Sequence, residues 1–311
     1  MGILSRIHAR LAQFNELQRK VEILQLAAGR IESRQCASLH NPSSPFSDVE
    51  FRIFSQWGED GIIQHLIRHV PVARPLFVEF GVEDYREANT RFLLQQNNWE
   101  GLVLDSSEAN IRAIRRDPIS YRHALHAVRA FVDRDNINQI LTDNGCTGDI
   151  GLLSIDIDGN DYWVWDAITV ISPRIVICEY ENLFGCERAV VTPYAPDFDR
   201  QKAHFSMLYG GASLRALDLL AQKKGYTLAG SNSAGNNAFF IRNDLFGPFH
   251  AVSPGEAYTP ARYRSSRDPE GTLTFLDIRE GRRLVAHLPL LDIETGNTIR
   301  VGDLSSPGDN L

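Results

Sequence analysis

FVEFGVEDYREANT, residues 77–90, decides the fold when it is read with GLVLDSS at residues 101–107. An apolar run closes on an acid, Glu79. A glycine turn follows at Gly81, and a helix-compatible segment comes next. A second apolar run then closes on Asp105. This is the rhythm of a strand–turn–helix unit that grips a nucleoside, with the first turn against the ligand's polar end and the acid after the second strand on the ribose hydroxyls. Glycine turns also occur for purely structural reasons, so the neighbouring segments carry the decision.

Strand patterns recur at residues 76–80, 101–104, 126–132, 150–157 and 174–180, with helix-compatible segments at 87–96, 108–116, 137–143 and 161–168 between them. Such alternation predicts an α/β fold: a doubly wound, mostly parallel sheet with helices on both faces. An amphipathic segment at 55–70 should cover one face. A helix at 212–224 stops at Gly225, and short strands at 226–229 and 238–242 suggest an antiparallel pair at the sheet edge. The α/β domain occupies 50–249. Ahead of it, residues 1–40 read as one amphipathic helix followed by a Pro/Ser-rich linker. Leu4, Ile7, Leu11, Phe14, Leu17, Val21, Leu24 and Ala28 recur every three or four positions, close to a heptad seam. The seam predicts a homo-oligomer formed through this helix. Arg6, Arg10, Arg19, Lys20 and Arg30 outnumber the acids around it, so peripheral contact with an anionic membrane is the alternative. Residues 250–311 change texture: an irregular loop at 253–268, then short strands at 273–278, at 283–288 and from 291, which together predict a small β appendage.

The chain has 311 residues, 43% of them apolar, and a net charge of -7. That is enough apolar material for a sizeable core and the wrong charge for a general nucleic-acid binder. Cys36, Cys146, Cys178 and Cys186 show no paired spacing. Zinc and disulfide frameworks are therefore poor readings, and a cytoplasmic setting is the simplest. No stretch approaches the roughly 20 apolar residues that span a bilayer.

Ligands of parallel sheets bind outside the C-terminal strand ends. Here those ends carry acids: Glu79, Asp105, Asp133, Asp156 with Asp158, and Glu179 with Glu181. Glu79, Glu83 and Asp84 crowd the first turn and would repel a pyrophosphate. A ligand bearing a sulfonium and an ammonium fits better, which favours S-adenosylmethionine over a nicotinamide cofactor. Glu79, Gly81 and Glu83 would face its polar end and Asp105 its ribose. Asp105 is equally suited to cap a helix with Ser106 and Ser107, and the two roles can coexist. Asp133, after Phe131 and Val132, would border the adenine.

The densest cluster is LLSIDIDGNDYWVWDAI, residues 152–168. Asp156 and Asp158 would share one face of a strand. Two carboxylates so placed call for a proton, a cation or a donor between them. They could ligate Mg²⁺ or another hard ion, with Glu179, Glu181 and Asn182 completing the shell. One of them could instead act as general base on a substrate hydroxyl. His204 is a further candidate base, and Asn232, Asn236 and Asn237 could read sugar hydroxyls or shape a turn.

FVEFGVEDYREANTRFLL, the GLVLDSS acid, LLSIDIDGNDYWVW, ICEYENLFG and KKGYTLAGSNSAGNNAFFIR together resemble class I S-adenosylmethionine-dependent methyltransferases, and among them the FkbM-like methyltransferases of bacterial polysaccharide gene clusters. SQWGEDGII is similar to the entry segment of those proteins. The resemblance covers roughly residues 54–245. It implies a Rossmann-like seven-stranded sheet whose last strand is antiparallel, S-adenosylmethionine as cofactor with Glu79 and Gly81 in its loop and Asp105 at its ribose, and methyl transfer to a sugar hydroxyl of a glycan or glycan precursor. It places Asp156 and Asp158 where related enzymes carry a catalytic or metal-binding acid. One departure stands out: Glu83 and Tyr85 occupy a region where the family carries further glycines, and each brings a Cβ toward the ligand. A degenerate domain that binds glycans or scaffolds their assembly is therefore the alternative to an enzyme. A nicotinamide oxidoreductase ranks below both, because the third glycine of its fingerprint is missing.

Overall fold

The structure, a computed structural model, describes residues 3–39 and 41–304. The side chains of Leu4 and Arg6, both named in the amphipathic pattern above, lie outside the described residues.

Seven strands form the central sheet: β1 (Leu76–Phe80), β2 (Glu100–Asp105), β3 (Leu125–Arg129), β4 (Gly148–Ile155), β5 (Ile171–Glu179), β7 (Tyr226–Ser231) and β8 (Asn237–Arg242). A two-residue strand, β6 (Val190–Val191), belongs to a second, smaller sheet. The order across the main sheet is β3-β2-β1-β4-β5-β8-β7. β1 through β5 pair in parallel, while β8 runs antiparallel to both β5 and β7. This is the Rossmann-like class I methyltransferase sheet that the resemblance implies. The order reverses between β1 and β4, the switch point at which doubly wound sheets bind ligands.

Strand periodicity sorts the core. Val78, Phe80, Leu102, Leu104, Leu153 and Val176 face one way, toward Trp165, Leu217 and Leu220. Phe77, Val103, Leu152, Ile175 and Phe239 face the other way, toward Ile62, Ile63, Leu66 and Leu94. Because helices cover both faces, the inner strands read as unbroken apolar runs, and all five residues of β1 are buried. The helices Glu108–Arg116 and Ile137–Asp143 fall on the predicted segments. Two strands end two or more residues sooner than their patterns suggest. β3 stops at Arg129 rather than at 132, and β4 at Ile155 rather than at 157.

The C-terminal region departs further. Residues 273–278 form no strand beyond a single bridge between Arg267 and Leu273. Residues 278–285, half of them expected to be extended, form the helix Ile278–Val285. The local cause is a capping box: the Asp277 side chain accepts from Glu280 N, and the Glu280 side chain accepts from the Asp277 backbone. The β appendage is the hairpin of β9 (Pro289–Asp292) and β10 (Thr298–Arg300), with β9 paired to β6. Leu290, Val285 and Val301 share a small core with Phe184 and Tyr209.

The N-terminal helix, Ile3–Leu39, docks on the α/β domain along its C-terminal half. Gly29 makes this possible, since a Cβ there would stand 2.6 Å from the Phe92 ring. Glu22 receives the Arg91 guanidinium at 2.7 Å, and Arg30 donates to Gln96.

Candidate functional site

A cavity of about 530 Å³ opens at the C-terminal ends of the parallel strands, within the usual range for a cofactor or small-molecule site. Glu79, Gly81, Glu83, Asp105, Ser106, Asp156, Asp158 and Glu179 all line it. The sequence-predicted site residues thus converge, with three exceptions described below.

The first turn is shaped around Gly81. Its φ is +72°, and an added Cβ would lie 1.7 Å from the Asp156 carbonyl oxygen, so the turns after β1 and β4 touch through a bare Cα. Alternating with Val82 and Asp84, which are not left-handed, two non-glycine residues further on are, with φ +48° at Glu83 and +62° at Tyr85. Each such residue costs about 1–2 kcal/mol. The Tyr85 side chain turns into the core, fully buried with its hydroxyl 2.9 Å from Thr90 Oγ1, and does not line the cavity. The bulk expected at the ligand is therefore absent at Tyr85, and the Glu83 backbone is clamped by Asp105 instead. Asp105 Oδ2 accepts from Glu83 N at 2.9 Å, while Oδ1 accepts from Ser107 N and Asn110 Nδ2. One carboxylate fixes the turn and steadies Ser107, the N-cap of the next helix, while facing the cavity.

Glu79 is buried, and it accepts from Asn89 N, Thr90 N and the Thr90 hydroxyl. Burial outweighs these bonds and pushes its carboxyl up to about 7.

Asp156 and Asp158 lie beyond the end of β4 and so do not share a strand face as expected. Asp161 builds the turn that carries them, accepting from Ile157 N and Gly159 N, and Asp158 is left-handed with φ +58°. The turn nonetheless gathers oxygens of Asp156, Asp158 and Glu179 within 4.8 Å of one another. These three could hold a hard divalent cation. Burial, then the charge of Asp158, drives Asp156 well above the usual carboxyl range. Burial, then the charge of Asp156, does the same to Glu179. Like charges this close favour a shared proton.

A resident cation already answers part of this charge. Arg200, which sequence reasoning did not single out, sends Nη1 to Asp158 at 2.7 Å and Nη2 to Glu181 at 2.9 Å, with its side chain 19% exposed. Burial opposes its charge, but Glu181, Glu179 and Asp158 together raise its pKa. Arg200 sits in the aperiodic stretch 193–206, where no pattern marks a buried side chain.

Three predicted site residues lie apart from the cavity. Glu181 is not among the three clustered acids: it caps the turn Asn182–Phe184 through Leu183 N and receives Arg200. Asp133 accepts from Asp135 N and Asn136 N in a local turn, and with β3 ending early, Val132 and Phe131 reach the cavity in its place. His204 shares a hydrogen bond with the Ser206 hydroxyl at 2.7 Å and packs against Phe205 and near His287, away from the lining.

The far wall comes from residues that read as turns and loops. Asn232 is a turn-former, its Oδ1 accepting from Gly235 N, Asn236 N and Asn237 N. Asn236 and Asn237 line the cavity, and the buried Asn237 Oδ1 has no hydrogen-bond partner among the described residues. Tyr263, from the C-terminal segment, stacks on Trp57 at 5.5 Å and 20° at the same wall. Asn182 anchors that segment. Its Nδ2 donates to Gly235 O and Thr259 O, and its Oδ1 accepts from Ala261 N and the Tyr258 hydroxyl.

No helix among the described residues is long and apolar enough to cross a membrane. All four cysteines are free, and Cys178 is buried as expected.

No protein-family model matches this chain, and no curated protein matches it. Solved structures resemble it in outline. One is an S-adenosylmethionine-dependent methyltransferase from Clostridium acetobutylicum, at 8% identity over 59% of this chain and 90% of that one, with a TM-score of 0.37. Another is an O-methyltransferase family protein from Burkholderia thailandensis, at 11% identity over 59% and 57%, with a TM-score of 0.35. A third is the pyocyanin biosynthetic protein PhzM, at 11% identity over 58% of this chain and 54% of that one, with a TM-score of 0.35. The chain thus spans little more than half the length of the last two. Likeness at this level leaves substrate and chemistry to the geometry of the site.

Proposed function

We propose that the chain is an S-adenosylmethionine-dependent O-methyltransferase acting on a sugar hydroxyl of a glycan or glycan precursor. The observation that carries this reading is the convergence of Glu79, Asp105, Asp156 and Glu179 from four adjacent parallel strands, or the turns directly after them, on one cavity beside the bare turn at Gly81. Carboxyl groups lifted by burial suit a ligand that brings positive charge, and a diphosphate would be repelled.

The cofactor fits the residues present. Gly81 leaves the space that a side chain would fill, Asp105 offers a carboxylate after β2 for the ribose, and Glu79 would answer a cationic group. S-adenosylmethionine, when bound, supplies an electrophilic methyl group, so the protein's task is alignment and proton removal. Asp156 and Glu179 share a proton in the free site, and the ionised member accepts the proton of the acceptor hydroxyl. Arg200 holds Asp158 and Glu181 in place. Asn236, Asn237 and the Trp57–Tyr263 pair form a wall with amides and aromatic faces suited to a polyhydroxylated ring. Asp156, Asp158 and Glu179 are also the residues that would hold a divalent ion such as Mg²⁺, which would lower the pKa of the hydroxyl; Arg200 would compete with it for Asp158. The retained left-handed turn favours an active domain over a degenerate scaffold.

Calorimetry with S-adenosylmethionine tests the first step, and no heat at millimolar ligand refutes it. Mass spectrometry of surface glycans with and without the protein tests the second. An enzyme of this kind leaves a difference of one methyl group, and identical glycans refute the acceptor class.

A further inference from the structure

We propose that the N-terminal helix is the dimerisation element and that it pairs antiparallel with the same helix of a second copy, about a two-fold axis passing beside Leu17. This is independent of the methyltransferase reading.

The helix is docked along one stripe, with Arg30 reaching Gln96 from beside it. Glu22, Gly29, Ser33 and Cys36 meet the α/β domain through Arg91, Phe92, Gln64 and Val49, and with the half-buried Leu26 they are spaced four and three apart. Val21, Leu24 and Ala28 point about 130° away from that stripe at 3.6 residues per turn, and Val21 and Leu24 are 47% and 68% exposed. Ahead of residue 22 every described side chain from 7 to 21 is exposed. An unpacked helix of this length is marginal in water. Yet it carries Ile7, Leu11, Phe14 and Leu17 on one side, the last three each more than half exposed.

The pattern identifies the occupant. From Ile7 to Ala28 the apolar positions average 3.5 residues apart, the period of a left-handed coiled coil. They are also self-complementary under reversal. Setting Ile7 against Ala28 puts Leu11 against Leu24 and Phe14 against Val21 in the same register. Each contact then occurs twice, as an isologous two-fold interface requires. In this arrangement the projecting half of one helix covers the bare back of its partner's docked half, so neither exposed stripe remains. A parallel pair would instead put two cationic N-terminal segments side by side, since Arg10 and its neighbours precede the first acid, Glu16. It would also align the helix dipoles, which the antiparallel pair opposes. The overlap is about 32 Å long and one helix wide, at the small end of specific interfaces, so the dimer should form at micromolar concentrations.

Sedimentation velocity on the full chain between about 1 and 100 µM tests this. The expected result is a reversible shift to twice the 34.9 kDa of one chain, abolished by Leu11→Glu with Phe14→Glu, both at exposed positions that leave the domain core untouched. Orientation is read by oxidative cross-linking in a Cys36→Ser, Cys186→Ser background. Leu17→Cys should cross-link to itself. Ile7→Cys should not, because the two copies of residue 7 lie about 32 Å apart, but it should cross-link in a mixture with Ala28→Cys. A monomer at 100 µM overturns the proposal, and so does efficient self-cross-linking of Ile7→Cys. So does a chain that stays monomeric in solution and binds anionic phosphatidylserine vesicles through Leu11 and Phe14, which would make a lipid surface the occupant.

Discussion

Cofactor affinity should depend on pH in a direction that the site dictates. Glu79 faces the cavity with its carboxyl pushed up to about 7 by burial. A cationic ligand stabilises the ionised form, so it binds the deprotonated site more tightly and protonation competes with it. For a single group at that value, the ionised fraction falls from about nine-tenths at pH 8 to about one-tenth at pH 6, an affinity loss of roughly tenfold or ~1.4 kcal/mol. Asp156 and Glu179, also lifted and sharing charge, can only steepen the slope. Calorimetric titration with S-adenosylmethionine at pH 6, 7 and 8 measures it, and buffers of different ionisation enthalpy should reveal proton release on binding. Glu79→Gln should weaken binding at pH 8 and flatten part of the slope. Affinity that is constant, or that rises toward pH 6, would refute the assignment of a cationic ligand to this end of the cavity.

Without cofactor, the same group should make stability fall as pH rises. The folded chain retains on Glu79 a proton that the unfolded chain releases near 4.5, so between about 4.5 and 7 the unfolded state binds fewer protons and stability declines by about 3 kcal/mol. Urea denaturation at pH 5 and pH 8 would measure this, and Glu79→Gln should remove the share of Glu79 while leaving that of Asp156 and Glu179, whose carboxyls are also lifted. Gly81→Ala imposes a Cβ 1.7 Å from the Asp156 carbonyl at φ +72°. It should lower the melting temperature by several degrees and weaken cofactor binding at least tenfold, and unchanged affinity would mean that the turn is not the cofactor loop. Asp156→Asn should slow methyl transfer by roughly a hundred- to ten-thousand-fold, and a rate within threefold of wild type in single-turnover assays would remove Asp156 from the chemistry.

What the sequence revealed follows from where its signals are local. Strands buried on both faces read as apolar runs, and the acids that end them announce the ligand edge, which is why Glu79, Asp105, Asp156 and Glu179 were legible. Asp133 was misplaced because Ala130, Phe131 and Val132 continue an apolar pattern after the ladder has stopped at Arg129. Arg200 and Tyr263 were invisible for another reason. Both sit in segments without period, held by contacts distant in sequence, such as Asn182 to Thr259 and Ala261. The capping box at Asp277 and Glu280 was local and readable, but the apolar residues around it also suit a strand.

Charge balance links these residues to the chemistry. Arg200 divides the acids in and beside the cavity into two sets. Asp158 and Glu181 each receive one of its terminal nitrogens, so a single fixed cation answers both. Asp156 and Glu179 receive none of its hydrogen bonds and lie close enough to Asp158 to raise each other's proton affinity. Removing the guanidinium would therefore change more than one ion pair. With Arg200→Met, Asp158 and Glu181 lose their counter-ion, the field at Asp156 and Glu179 becomes more negative, and both should hold protons to still higher pH. The pH optimum of methyl transfer should then move upward. A Lys substitution, which keeps the charge but reaches only one carboxylate well, should restore part of the shift. If Arg200→Met lowers the rate uniformly across pH, with no displacement of the profile, Arg200 acts as a structural clasp alone, and the proton on the acceptor hydroxyl is removed elsewhere.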